Sequence, residues 1–176
     1  MTPARSRRGS SLQAEMGQRR PFRSKRQEAA VALLRTASVV TRAFARLVEP
    51  SELSWPQYNA LRIVRGAGSG GIATLTIRER MIDEGTTITR LLDKLEAAGL
   101  IRRERSRPDR RQVLCFVTPE GRRLLDGLDP KVDALDEEVT AELSETRLTA
   151  FIDMLDDIRQ ANAGRGAPRH TVRAEA

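Results

Sequence analysis

The chain has 176 residues, with 31 Lys/Arg against 24 Asp/Glu, one cysteine, one histidine and few aromatics. A single cysteine excludes an intrachain disulfide and suits a reducing compartment, and no paired His/Cys ligand set exists for a metal centre. No apolar run approaches the roughly 18–20 residues of a membrane span, and the length fits one domain with a buried core.

The charge is uneven. Residues 1–26 hold eight Lys/Arg against Glu15 alone, a surplus of +7 that equals the formal charge of the whole chain. The rest balances, yet 99–123 carries eight Arg against Glu104, Asp109 and Glu120, whereas 124–160 carries 11 acids against Lys131, Arg147 and Arg159. One end is built for anions and the other repels them. Residues 1–26 are polar and lack apolar periodicity, so they are predicted to form a disordered basic tail. That tail reads as an anion-seeking arm, a solubilising leader or a misassigned start; without the apolar stretch of a secretory signal, a cytoplasmic location is expected.

A first helix is predicted over 27–48. Val31, Leu34, Val39, Val40, Phe44, Leu47 and Val48 spread over more than one face, which implies burial on several sides, with a second subunit as a natural cover. Ser54-Trp55-Pro56-Gln57 has the form of a capping box with proline in the first turn, and Tyr58, Leu61 and Val64 follow it. A flexible turn spans 66–71. Leu75, Ile77 and Ile82 are assigned to a short helix.

The next helix is amphipathic. Ile88, Leu91, Leu92 and Leu95 recur at helical spacing, Gly85 or Thr86 would cap the start, and Gly99 supplies the stop. Its other faces carry Thr87, Thr89, Arg90, Asp93, Lys94 and Glu96. A hairpin then leaves Ile101 and returns through Val113, Cys115 and Val117 at strand spacing. Arg102, Arg103, Arg105, Arg107, Arg110 and Arg111 crowd it, opposed only by Glu104 and Asp109. Charges this dense repel one another, so a surface keeps them for a polyanion. Asp109 at the tip can hold the Arg111 guanidinium in one pose.

Thr118-Pro119-Glu120-Gly121 starts another helix with Thr118 as N-cap. Leu125, Leu128, Val132, Leu135 and Val139 follow heptad spacing, with a kink or break expected at 127–130 from Gly127 and Pro130. Ser144 caps a last helix whose stripe is Leu148, Phe151, Ile152 and Leu155. A second polar tail over 162–176 is predicted to be disordered and holds the only histidine, His170. Cys115 shares a strand face with Val113 and Val117 and reads as packing. Phe44, Trp55 and Tyr58 read as core, with an effector pocket as the competing assignment. Nothing indicates an enzyme: there is no Gly-rich phosphate loop, and Ser144 reads as a cap rather than a nucleophile.

Four segments together resemble the MarR family of bacterial winged-helix transcription regulators: Thr89-Arg90-Leu91-Leu92-Asp93-Lys94-Leu95-Glu96, Ala98-Gly99-Leu100-Ile101, Asp109-Arg110-Arg111, and Val117-Thr118-Pro119-Glu120-Gly121. The order and spacing are those of the family. The sequence departs from its commonest form at Arg80-Met81, where Leu-Ala is usual, and in the Asp83-Glu84-Gly85 approach to the reading helix. The family's peroxide-sensing branch uses a cysteine near the first helix, and none is present here.

The resemblance implies a mainly α fold with a small β-wing: a winged helix-turn-helix lobe plus a helical dimerisation layer. The expected division is a basic tail (1–26), an N-terminal dimerisation helix (27–50), the DNA-binding lobe (51–118), C-terminal linking and dimerisation helices (119–161) and a final tail (162–176). Thr86, Thr87, Thr89, Arg90 and Lys94 would meet the major groove and its phosphates. Arg107 or Arg111 would enter a minor groove beside Arg110, with Asp109 orienting. The expected partners are double-stranded operator DNA and a second copy of the chain, in a repressor relieved by a small molecule. A small aromatic effector of open identity is the candidate ligand, with no cofactor, metal or membrane. The competing class is a winged-helix protein-interaction module, which does not need six arginines and a pinned tip.

Overall fold

The computed structural model describes residues 11–82, 87–106 and 112–163. The chain divides into two compact units, Met1–Asp133 and Ala134–Ala176.

In the first unit, α1 (Ser11–Glu15) precedes α2 (Lys25–Val48). Within the segment expected to be a disordered tail, Ser11–Glu15 is helical and α2 takes in Lys25 and Arg26. Glu15, the one acid of that stretch, forms a 2.8 Å ion pair with Arg35 of α2. Gln13 Nε2 donates to the Gln18 carbonyl at 3.2 Å. The α2 helix starts two residues earlier than its apolar pattern shows. Ser24 Oγ accepts from the Gln27 amide as the N-cap, and Gln27 Oε1 accepts from the amide of Arg23, the residue before the cap.

The helix α3 (Trp55–Gly66) has the expected capping box, with Ser54 Oγ accepting from the Gln57 amide and Gln57 Oε1 from the Ser54 amide. The turn over 66–71 contains a short 3-10 segment at Gly68–Gly70 and leads into β1 (Ile72–Ala73). The short helix α4 is Thr74–Arg80. Ile82 lies outside it, contrary to expectation, because Met81 turns extended and buries its side chain. Asn59 Oδ1 then accepts from the Ile82 amide at 3.0 Å.

The amphipathic helix α5 (Ile88–Ala97) has Thr87 as its N-cap residue, later than the expected Gly85 or Thr86, and the Thr87 side chain makes no capping bond. Its end matches the glycine signal. Gly99 has φ +70°, its amide bonds the Glu96 carbonyl, and the Leu100 amide bonds that of Leu95, the paired closure of a left-handed glycine cap. The chain passes directly into β2 (Ile101–Arg105), which pairs antiparallel with β3 (Val113–Val117), Arg103 lying opposite Cys115. The sheet order is β1-β3-β2.

The helix α6 (Pro119–Thr140) follows, with Thr118 Oγ1 accepting from the Gly121 amide. It runs unbroken through Pro130, so no break occurs at 127–130. A helix absorbs one missing N–H when its flanking turns are packed, and Leu125, Leu128 and Val132 on either side are buried. Arg65 of α3 adds a two-pronged bond to the Asp129 carboxylate, at 2.7 and 3.1 Å.

The core of this unit is contiguous in composition: Val48, Tyr58, Leu61, Val64, Ile77, Leu92, Leu95, Cys115 and Leu125 are all fully buried. Phe44 and Tyr58 are core, with half-buried Trp55 between them at ring separations of 4.8 and 5.4 Å. Burial also pushes the Cys115 thiol above its ordinary pKa, which disfavours the reactive thiolate. In the second unit, the end of α6 turns through 141–144 into α7 (Glu145–Asn162). Ser144 takes the N-cap position without a side-chain capping bond; its carbonyl accepts from the Leu148 amide.

Two glycines of α6 make opposite predictions. A Cβ on Gly121 would stand 2.2 Å from the Leu100 carbonyl oxygen, whereas one on Gly127 meets nothing within 4 Å. Gly121→Ala should cost about 1–3 kcal/mol through overpacking, and Gly127→Ala should gain about 0.5–1 kcal/mol through helix propensity. Denaturant unfolding followed by circular dichroism measures both; a neutral Gly121→Ala would show that Leu100 and α6 are not in close contact. Cys115 should react with iodoacetamide many times faster in guanidinium than in buffer at the same pH, and equal rates would contradict its burial.

Candidate nucleic-acid interface

The reading helix divides cleanly by face. Leu92 and Leu95 are fully buried and Leu91 nearly so, which fixes the rotation of α5 about its own axis. That rotation leaves Thr87, Thr89, Arg90 and Lys94 exposed. A helix with this much apolar surface buried on one side cannot roll without exposing leucine, at roughly 25 cal/mol per Å² of apolar area. The polar side is thus held as a rigid surface of two hydroxyls and two cations. Beside it, a groove of about 260 Å³ runs between α5 and the start of α3, lined by Ser54, Gln57, Thr87, Arg90 and Lys94 among others.

The hairpin is the second part. Its two faces follow strand parity: Ile101 and Cys115 point to the core, while Arg102 lies over the Phe116 ring at 4.4 Å. Phe116 in turn sits against Gly71, where a Cβ would stand 2.5 Å from the ring and where φ is +67°. Only glycine fits that combination without strain. The far end of the hairpin closes with the Ser106 amide donating to the Gln112 carbonyl at 3.0 Å. That bond frames the arginine-rich tip.

Of the residues expected to bind DNA, Thr87, Arg90 and Lys94 come together on one exposed stripe at i, i+3 and i+7, and Thr89 is exposed on the far edge of the polar side, next to Asp93 and Glu96. Thr86, Arg107, Asp109, Arg110 and Arg111 lie outside the described residues, as do Asp83, Glu84 and Gly85. The arginines of the strands are not all surplus cations, which corrects the reading of six for one polyanion. Arg102 pairs with Glu104. Arg103 is bound to the reading helix itself: its Nη2 lies 2.5 Å from Glu96 Oε2 and 2.7 Å from Asp93 Oδ1. The charged hydrogen bond from Arg103 holds the Glu96 carboxyl below its usual pKa, and Glu96 raises Arg103 in return. A signal for this was present. Arg103 has the strand parity of buried Ile101, and Asp93 and Glu96 stand i,i+3 on one helix face.

A larger cleft of about 760 Å³ opens along the C-terminal half of α2, where Thr41, Arg42, Arg46 and Glu49 face Trp55 and Ile82. Of the three aromatics, Trp55 alone lines it among the described residues. The arrangement offers cations, a flat apolar ring and a volume suited to a small ligand. Among the described residues there is no cluster of His, Cys, Asp or Glu able to hold a metal ion, and no helix is long and apolar enough to cross a membrane.

The MarR family profile matches residues 53–113, from the start of α3 to the return strand of the hairpin. The chain is 38% identical over 104 residues to the HTH-type transcriptional regulator TtmR of Methylorubrum extorquens (strain PA1), a match spanning 59% of this chain and 50% of that protein. It is 34% identical to the MarR transcription factor of Planctomyces limnophilus, whose crystal structure superposes with a TM-score of 0.59 over 77% of this chain and 98% of that one. Bordetella bronchiseptica BpsR shares the fold, with a TM-score of 0.65 at 22% identity over 74% of this chain and 98% of that chain. The buried-face helix, the three-stranded wing and these likenesses agree: the chain belongs to the MarR family of winged-helix, DNA-binding transcription regulators.

Proposed function

We propose that this protein is a homodimeric, cytoplasmic repressor that binds operator DNA and is released by a small aromatic anion. The observation that carries the reading is the exposed polar side of α5, with Thr87, Arg90 and Lys94 on one stripe and Thr89 at its far edge, held rigid by buried Leu91, Leu92 and Leu95 next to an arginine-rich hairpin. A helix of this kind presents hydroxyls, methyls and guanidinium to base edges in a major groove. Arg107 or Arg111, with Asp109 orienting and Arg110 beside them, supply the minor-groove part of the proposal, and Thr86 joins the helix start.

Dimerisation is supported by apolar side chains left in water. On α2, Leu34 and Val39 are 72% and 46% exposed; on α7, Ile152 and Met154 are 50% and 56% exposed. On α7, exposed Phe151, Met154 and Ile158 recur at i, i+3 and i+7, an apolar stripe of the kind that marks a protein partner. The effector is supported by the cleft along α2, where Arg42 and Arg46 would meet a carboxylate and Trp55 an aromatic ring. BpsR, alike in fold, has its DNA binding regulated by 6-hydroxynicotinic acid.

Footprinting on the promoter of the protein's own gene tests the reading, and its protected duplex serves as probe. Arg90→Ala and Arg111→Ala should each weaken binding to that duplex by about 1–3 kcal/mol. Asp109→Ala should weaken it while leaving scrambled duplex unchanged or tighter, since attraction survives and orientation is lost. Tighter operator binding by Asp109→Ala would reduce the tip to a charged loop, and salt-insensitive association would favour a protein-docking module. Sedimentation at micromolar concentration should show a dimer, whose two reading helices address half-sites about 10 bp apart; monomer alone would remove the two-fold arrangement.

A further inference from the structure

Among the described wing arginines, Arg103 is gripped by α5 through both its backbone and its side chain. Its backbone N–H donates to Glu96 Oε1 at 3.1 Å, and its Nε donates to Glu96 Oε2 at 2.8 Å. Its Nη2 donates to Glu96 Oε2 at 2.5 Å and lies 2.7 Å from Asp93 Oδ1. One guanidinium therefore bridges two carboxylates a turn apart on α5. The planar fork of arginine makes this possible, since its donors have fixed relative directions. Strand register supplies the aim: Arg103 lies opposite fully buried Cys115, so it faces inward while Arg102 and Glu104 take the other face. Its side chain is 26% exposed, much less than the 53% of Arg102.

We propose that Arg103 is a positioning residue that fixes the pose of the wing against the reading helix, so that the two address a single stretch of duplex together. The proposal rests on the DNA-binding reading above and deepens it. The link has two physical consequences. It offsets one of the two negative charges that Asp93 and Glu96 set on a helix that approaches phosphates. It also removes the hinge freedom of a hairpin joined to α5 by only Ala98, Gly99 and Leu100. Glu96 is held below its ordinary carboxylate range by the Arg103 bonds. The stability of the link is therefore full above the unfolded-state pKa of Glu96 and is lost as pH falls through the lower folded value, so it persists at neutral pH.

The two consequences separate by mutation. Arg103→Met uncovers both acids and frees the wing. Arg103→Lys keeps the charge but replaces the fork with a point cation. The triple variant Arg103→Met, Asp93→Asn, Glu96→Gln removes one positive and two negative charges, so charge alone makes it a better DNA binder than the parent. Each is measured on the footprinted duplex and on a scrambled duplex of equal length at one salt concentration, with folding checked by circular dichroism. Positioning predicts that the lysine variant binds scrambled duplex as the parent does and the triple variant at least as tightly, yet that both lose about 10-fold or more on the footprinted one, within the range of a specific contact. It also predicts faster amide exchange across Ile101–Arg105 in both, with α3 unchanged. Parent-like operator affinity with parent-like exchange in either variant overturns the proposal and leaves only charge masking. If the parent binds no duplex, the regulator reading fails, while amide exchange still decides whether Arg103 holds the wing.

Discussion

Three elements meet at Gly99 and Leu100, and their close approach constrains everything around them. The reading helix ends there in a left-handed glycine, the hairpin begins one residue later, and α6 starts against the same backbone. Thr118 ties them: its Oγ1 donates to the Gly99 carbonyl at 2.7 Å and accepts from the Gly121 amide at 3.0 Å, and its own amide donates to the Leu100 carbonyl at 3.1 Å. Gly121 has no side chain because the Leu100 carbonyl occupies the space a Cβ would need. The end of α5, both ends of the hairpin and the start of α6 are thus one packing unit. The base of the wing and the start of α6 are anchored by it.

Charge is distributed to suit this geometry. The hairpin carries most of the local cations, yet two of its strand arginines are spent within the chain: inward-facing Arg103 on Asp93 and Glu96, and outward-facing Arg102 on Glu104 and the Phe116 ring. Exposed pairs such as Arg102–Glu104 add little stability, typically under about 1 kcal/mol. Their value is in direction, because a paired guanidinium stays put while a free one sweeps its surroundings. Of the eight arginines in the 99–123 segment, Arg102, Arg103 and Arg123 are thus paired within the chain. On α3, Arg65 is likewise committed to Asp129.

The apolar inventory tells a complementary story. Core positions of the first unit are saturated, from Val48 to Leu125. By contrast, α2 has only Phe44 and Val48 buried over 24 residues, and α7 has none. Helices this long, with apolar side chains in water, are stable in isolation only marginally. A second copy of the chain is the partner that the proposed function assigns to them.

The sequence by itself determined the local grammar. Helical spacing identified Leu91, Leu92 and Leu95 as one buried face. The Ser54–Gln57 box fixed the start of α3, Gly99 the end of α5, and strand parity the pairing of β2 with β3. These depend on neighbours within a few residues, where sequence distance and spatial distance are nearly the same. Even so, Thr87 rather than Gly85 or Thr86 begins α5, and Ile82 falls outside α4, because element ends are settled by what the next residue can bury. Only the tertiary structure decided which arginines face inward, that Glu15 reaches Arg35 and orders a segment that composition marks as tail, and that Pro130 leaves α6 unbroken. Each of these is a long-range electrostatic or packing choice. A charged residue carries no mark of its partner until the fold brings the two within a few ångströms.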